Sequence, residues 1–226
     1  MILPRFYFRD DFVSYYDLLP KEPENRKFIA KGTIVYEAHA RDRMNSFYVV
    51  SGVAKLSVIN EIGTEHIVAF LGDKTIYPIN CIEEPFSLND YMYMTAITNM
   101  ELIRFPSNLL VDLALNRPKL IEDLLRYYCR YTNLLLSKNV LQTYNDSFQM
   151  TCSFLYLYSF YKPAQTDVVD LTQEYIGKTV GITRVQTARI LGQLRDEGII
   201  ETGRNSLRIL DKARLREYCA PIVDDK

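Results

Sequence analysis

Histidine is scarce in this chain and cysteine little less so, at two and four among 226 residues. The cysteines, Cys81, Cys129, Cys152 and Cys219, are far apart and form no CxxC pair. That spacing argues against a metal site or a disulfide framework and reads each as a small buried hydrophobe. There is no Walker loop, no run of metal ligands and no nucleophile elbow, so a non-enzyme without cofactor is expected. No stretch approaches the roughly 18 consecutive apolar residues that span a bilayer. The opening Met1-Ile-Leu-Pro-Arg-Phe-Tyr7, with Arg9, Asp10 and Asp11 behind it, lacks the regions of a signal peptide, and a cytoplasmic protein is expected.

What is present is an ordinary apolar fraction of 48% on a length that suits one large domain or two modest ones. The net charge is −1, but it is unevenly spread: −4 over residues 1–115, +1 over 116–170 and +2 over 171–226. A mildly basic rear half supports a nucleic-acid partner without proving one.

From Phe28 to Arg104 the pattern is β. Thr33–Tyr36, Phe47–Val50, Ala54–Ile59, His66–Leu71 and Met92–Ile97 are short apolar or β-branched runs. Gly and Asn turns at 31–32, 51–52, 60–63 and 72–73 separate them, as in an antiparallel sandwich, barrel or roll. The period then changes. Asn116 is expected to cap a helix with Pro118 in its first turn, running from Lys119 to about Thr143 without Gly or Pro. About 25 residues make a helix of ~37 Å. It carries two apolar sets: Ile121, Leu124, Tyr128, Tyr131 and Leu135, and beside them Leu120, Leu124, Tyr127, Tyr131, Leu134 and Leu141. Two faces call for two partners, the β-roll and a second copy of the helix, with Leu124, Tyr131 and Leu135 expected at the dimer seam. Asn145-Asp146-Ser147 then caps a new helix and reads as a hinge. The expected domains are 1–115 (sensor roll), 116–145 (dimerisation helix and hinge) and 146–226 (effector).

The segment 171–200 carries the function. Thr172 caps a short helix to Val180, Gly181 supplies a left-handed turn, and Thr183 caps a second helix that Gly198 stops. That order is a helix-turn-helix. Ile176, Val180, Ile182, Ala188, Ile190, Leu191 and Leu194 are expected in its core. Arg184, Gln186, Thr187 and Arg189 fall in the first turns of the second helix, where base edges are read. Residues 199–210 then form a strand, a turn at Gly203 and a strand. Arg204 at the tip and Arg208 on the return make a basic wing for phosphates. Asp211 caps a last helix. Together with Thr172 and Thr183, these residues are the expected contacts to double-stranded DNA.

In this order of β-roll, long helix and winged helix-turn-helix, the chain resembles the regulators named after the cyclic-AMP receptor protein and the fumarate-nitrate regulator (CRP/FNR). The resemblance covers nearly the whole chain and is strongest over 171–200. It implies an α+β protein with a cyclic-nucleotide-binding-like N-terminal antiparallel roll, homodimeric, bound to two-fold symmetric promoter DNA and acting on RNA polymerase. The family's Arg-Glu-x-x-x-Arg pattern stands here as Arg184-Val185-Gln186-Thr187-Ala188-Arg189. Val185 replaces the glutamate, so an acceptor for cytosine is lost and an apolar group that could meet a thymine methyl is gained. A protein-docking role for the helix-turn-helix is the rival reading, and the set Arg184, Arg189 and Arg204 speaks against it.

The effector is not expected to be a cyclic nucleotide. Relatives hold its phosphate with a Gly-Glu turn and an Arg-Ser pair, where this chain has Gly72-Asp73-Lys74 and a 86–90 segment reading Phe-Ser-Leu-Asn-Asp. No arginine occurs between Arg43 and Arg104. A buried phosphate with only Lys74 beside it would be poorly compensated. The N-terminal cysteine cluster of iron–sulfur members is absent, and only His39 and His66 offer themselves to haem. What remains is an unknown small organic ligand walled by Tyr77, Tyr91, Tyr93, Tyr127, Tyr128 and Tyr131, with Arg126 or Arg130 for an acid. The same tyrosines would equally serve to pack a core, and activity without any ligand is open.

Overall fold

The structure, a computed structural model, describes residues 3–37, 44–79, 91–161 and 167–223. His39, Arg43, Cys81 and the 86–90 segment lie outside the described residues, as does most of the 164–167 connector. The protein is α+β and separates into two compact units: Phe8–Cys129, and Met1–Tyr7 together with Arg130–Lys226. The division falls inside the long helix, whereas the sequence puts its hinge at Asn145–Ser147.

The first unit holds two sheets. Strands β1 (Tyr7–Phe8), β3 (Ile34–Glu37), β5 (Ala54–Ile59), β6 (Glu65–Leu71) and β8 (Met92–Ala96) form one, in the order β1-β6-β5-β8-β3. Strands β2 (Arg26–Ile29), β4 (Asn45–Ser51), β7 (Ile76–Tyr77) and β9 (Met100–Pro106) form the other, in the order β2-β9-β4-β7. β5 pairs antiparallel with β6 and β8, and β4 with β7 and β9. The expected strands are therefore all present; β5 and β6 are buried on both faces over four or five consecutive residues, and Leu56, Ile67, Phe70, Met94 and Leu102 are fully buried. Gly52 is obligatory at its turn: φ is +97°, and an added Cβ would fall 2.5 Å from the Asn99 carbonyl.

Helix α1 (Asn108–Leu115) follows β9 and is not announced by the pattern. It corrects one assignment: Asn116 ends α1, its Nδ2 donating to the Asp112 carbonyl at 3.0 Å, and does not start the next helix. Helix α2 (Pro118–Tyr144) runs 27 residues with Pro118 at its first position, where the missing N–H costs nothing. Its apolar residues fall on a buried and an exposed face, and the exposed one differs from the set read from the spacing by holding Leu125 and Leu136 in place of Leu124 and Tyr131. Leu120, Leu124, Tyr127, Leu134 and Leu141 are buried, while Ile121, Leu125, Tyr128, Leu135 and Leu136 are exposed. Leu124, at 8% exposure against 61% for its neighbour Leu125, belongs to the inner face and is corrected as a seam residue.

In the second unit Asp146 caps α3 (Ser147–Tyr161), accepting from Gln149 N at 2.8 Å. α3 is the hub, with Cys152, Phe154, Leu155, Leu157 and Tyr158 buried. Residues 3–7, from far earlier in the chain, pack on it. The Phe6 ring meets Phe154 edge-on at 5.1 Å and Tyr7 meets Tyr158 at 5.7 Å. Tyr161 Oη donates to the Leu3 carbonyl at 2.9 Å. Then come β10 (Val168–Val169), α4 (Gln173–Val180), α5 (Arg184–Asp196), β11 (Ile200–Gly203), β12 (Ser206–Ile209) and α6 (Lys212–Glu217). The three strands form a sheet in the order β10-β12-β11. No described helix is long and apolar enough to cross a membrane. Among the described cysteines, Cys152 is buried, but Cys129 is exposed, contrary to the packing role expected of it.

Candidate nucleic-acid interface

The helix pair α4–α5 is built by local hydrogen bonds that the sequence announces. Thr172 Oγ1 accepts from Tyr175 N at 3.1 Å and closes the start of α4. Gly181 ends it at φ +87°, its N–H bonding the Gly177 carbonyl at 2.8 Å. Thr183 and Gln186 then form a reciprocal capping box on α5. Gln186 N donates to Thr183 Oγ1 at 3.2 Å, and Thr183 N to Gln186 Oε1 at 3.0 Å. One cap on each helix and a left-handed glycine between them fix the turn that aims α5.

The orientation of α5 sorts the expected contacts. Arg184, Val185, Gln186, Ala188 and Arg189 are exposed, and Ile190, Leu191 and Leu194 are buried. Two residues exchange their expected roles. Thr187 is fully buried: its hydroxyl donates to the Thr183 carbonyl at 3.0 Å, leaving it nothing to offer a base. Ala188, expected in the core, is exposed. Gln186 is on the outside, but its Oε1 is held in the cap. The outward polar groups of the first two turns with unrestrained reach are therefore the guanidiniums of Arg184 and Arg189.

Sequence reasoning missed one residue that makes this geometry possible. Gly177 lies against α5, and a Cβ there would fall 2.7 Å from Thr187 Oγ1 and 3.0 Å from the Ile182 carbonyl. A glycine inside a capped helix, which costs about 1 kcal/mol against alanine in a helix interior, was the available signal.

The wing is a hairpin whose two-residue turn is Arg204-Asn205, with Asn205 at φ +61°. Gly203 still pairs with Ser206, so the turn sits one residue later than expected. Arg204 stands exposed at the tip. Arg208 is exposed on β12 directly opposite Glu201, so an acidic neighbour attenuates it. An open cleft of about 450 Å³ separates wing from helices. It is lined by Thr172, Gln173, Glu174, Arg184 and Arg204 among others. Thr172, Arg184 and Arg204 are thus brought together, while Arg189 and Arg208 lie off that lining. Glu174 is occupied by Lys178, whose Nζ is 2.6 Å away. α6 braces the far end: Tyr218 Oη donates to Glu197 at 2.9 Å, and Arg214 Nη1 to the Glu197 carbonyl at 3.0 Å. Hydrogen bonds from Gln193 and Tyr218 hold the Glu197 carboxyl below its usual range.

The residues named for an effector are distributed differently. Tyr127 is buried, 5.3 Å from Phe8 and 5.5 Å from Phe12, and meets Tyr128 edge-on at 6.3 Å. Tyr128 Oη donates to the Ile79 carbonyl at 2.5 Å. Tyr77 packs against Tyr36, and Tyr91 Oη donates to Glu61 at 3.3 Å. Arg126 is exposed, with Asp123 at 4.0 Å. Tyr131 is half-buried in the other unit, where burial pushes its phenol up to about 12. At the Gly72-Asp73-Lys74 turn, Asp73 Oδ1 accepts from Gly52 N at 2.9 Å, and Lys74 Nζ lies 3.5 Å from Asp10.

Residues 151–218 match the family model described as the Crp-like helix-turn-helix domain. The chain is similar to the global nitrogen regulator of Synechococcus elongatus, 23% identical over 198 residues that cover 82% of this chain and 85% of that protein. Among solved structures it is similar to FixK2 from Bradyrhizobium japonicum, with a TM-score of 0.74 at 17% identity over 86% of this chain and 96% of that one. It is similar also to a transcriptional regulator of the CRP/FNR family from Thermus thermophilus, with a TM-score of 0.66 at 19% identity over 85% of this chain and 97% of that one.

Proposed function

We propose that this chain, which has the fold of the CRP/FNR regulators and a Crp-like helix-turn-helix over residues 151–218, works as a homodimeric, allosteric transcription regulator on double-stranded promoter DNA. The observation that carries this is the doubly capped helix pair, which turns Arg184 and Arg189 outward while Arg204 lines the same cleft as Arg184. Arginine at such a site bonds bidentately to guanine, and a wing-tip arginine serves any phosphate. Protein docking would not call for that set.

The dimer in this proposal forms along the exposed face of α2. Ile121, Leu125, Tyr128 and Leu135 recur there by four, three and seven residues, the spacing of a coiled-coil seam. Two copies would place two recognition helices on one duplex, and RNA polymerase is the expected downstream partner. The effector is a small molecule other than a cyclic nucleotide. In support, Asp73 and Lys74 are each engaged by protein groups at the turn that would have to meet a phosphate.

Mobility-shift titration with a duplex enriched from random sequence tests the DNA assignment. Arg189→Ala is expected to cost about 1–3 kcal/mol and to relax sequence choice at one base pair per half-site. Arg204→Ala should weaken all sequences alike and flatten the salt dependence by about one unit of slope. Unchanged affinity and selectivity in Arg189→Ala would refute the role given to α5.

A further inference from the structure

Lysine is seldom buried, because its ammonium gives up hydration. Lys138, in the last third of α2, is 8% exposed. Its seat forms where four segments of the second unit meet. Phe6 comes from the N-terminal segment, Leu141 from α2, Met150 and Phe154 from α3, and Val180 from α4. The side-chain nitrogen lies 5.7 Å from the centre of the Phe6 ring. Two polar residues complete the wall. The Thr179 hydroxyl donates to the Tyr175 carbonyl at 2.7 Å, and Gln142 is exposed. Among the described residues that line the seat, Lys138 alone titrates. A void of about 20 Å³ remains there, room for one water-sized group. Burial disfavours the charged form and holds the group down to about 7. At pH 7 about half of such side chains carry a free lone pair, against roughly one in three thousand for a lysine at 10.5. A free amine in an apolar hollow is a nucleophile toward carbonyl carbon.

We propose that Lys138 is a covalent site for small aldehydes of one or two carbons, which it takes up as a Schiff base. The amine lone pair attacks the carbonyl carbon. A C=N bond forms as the C=O bond breaks, and the oxygen leaves as water with the two amine hydrogens. The imine is neutral and suits an apolar wall, where an anionic adduct would not. One added carbon fills the void, and a second presses on the neighbours from α3 and α4. The site gives a chemical class and a place to the small-molecule effector proposed above, and rests on that reading for its regulatory meaning alone.

Full-length protein is incubated with formaldehyde or acetaldehyde and cyanoborohydride, which reduces the imine to a stable alkylamine that peptide mass mapping locates. At pH 7 Lys138 is expected to react about tenfold faster than exposed Lys31, and its rate should level off above that pH while the rate at Lys31 keeps rising. Benzaldehyde, too large for the void, should spare Lys138 and still alkylate Lys31. In hydrogen exchange the acetaldehyde adduct should lower protection in α3 and α4. Lys138→Met, which fills the seat without an amine, should show no such change under the same treatment. Alkylation of Lys31 ahead of Lys138 overturns the proposal, as does equal uptake of benzaldehyde at Lys138. So does a loss of protection that Lys138→Met shares. No readout involves DNA, so the DNA-reading role and this site stand or fall separately.

Discussion

Gly177 and Thr187 meet where α4 crosses α5, so closely that a methyl group on the glycine would overlap the threonine hydroxyl at 2.7 Å. Gly177→Ala is therefore expected to destabilise the C-terminal unit by about 1–3 kcal/mol, although alanine is the better helix former. Thr187→Ala removes the overlapping hydroxyl, so the double variant should recover part of the loss. Urea unfolding of the four proteins measures the coupling. Additive losses would mean that the Ile182 carbonyl, not Thr187, sets the limit.

Phe6 is seated in the same unit, against Phe154 and beneath the Lys138 ammonium at 5.7 Å. Phe6→Ala leaves a cavity and should cost about 3–5 kcal/mol. Hydrogen exchange locates the effect: amides of α3 lose protection, whereas those of β5 and β6 keep theirs. Equal loss in the strands would contradict the assignment of residues 3–7 to the C-terminal unit.

On α2 two adjacent leucines should behave oppositely. Leu125→Glu places a charge on the exposed face proposed for self-association and is expected to give a folded monomer in sedimentation. Leu124→Glu buries that charge inside its own unit and should lower stability by several kcal/mol whatever the assembly state. A folded dimer of Leu125→Glu would overturn the proposal that this face of α2 is the dimer seam.

Burial pushes the Lys138 ammonium down to about 7, from 10.5 in the open chain. Between those values the unfolded chain holds the extra proton, so stability should rise with pH from about 7 toward 10, by at most about 1.4 kcal/mol per unit. Below 7 both states are protonated, and this contribution is flat. Lys138→Met removes the charge from its apolar seat of Phe6, Leu141, Met150 and Phe154. It should stabilise most below pH 7, with the advantage shrinking toward pH 10. Denaturation midpoints across pH 6–10 decide, and parallel curves for the two proteins would reject the assignment.

The features legible in the sequence are those set by near neighbours. Thr172, Gly181, Thr183 and Asp211 announce their caps because a cap needs only the next three residues. The strands and α2 follow from periodicity, but not which residues make the exposed face of α2. The phase of α5 does not follow. Thr187 and Ala188 are 100° apart on the helix, and either suits a core; Thr187 wins because its hydroxyl is satisfied by the Thr183 carbonyl. Leu124 sits in both apolar sets, and only packing can assign it. The seat of Phe6 is invisible, since its partners lie near residue 154 and no local rule spans that separation.

The placement of residues 3–7 also bears on how the protein is made. Phe6 leaves the ribosome about 150 residues ahead of Phe154 and Tyr158. At roughly 5–20 residues per second it waits on the order of 7–30 s for them. The strands from Phe8 onward can close in that interval, because their partners all arrive by Pro106. An apolar segment synthesised early is thus among the last to be buried, and the C-terminal unit completes itself only by reaching back to it. Conditions that slow elongation prolong the exposure of Leu3, Phe6 and Tyr7, and with it the opportunity for a chaperone, or for aggregation.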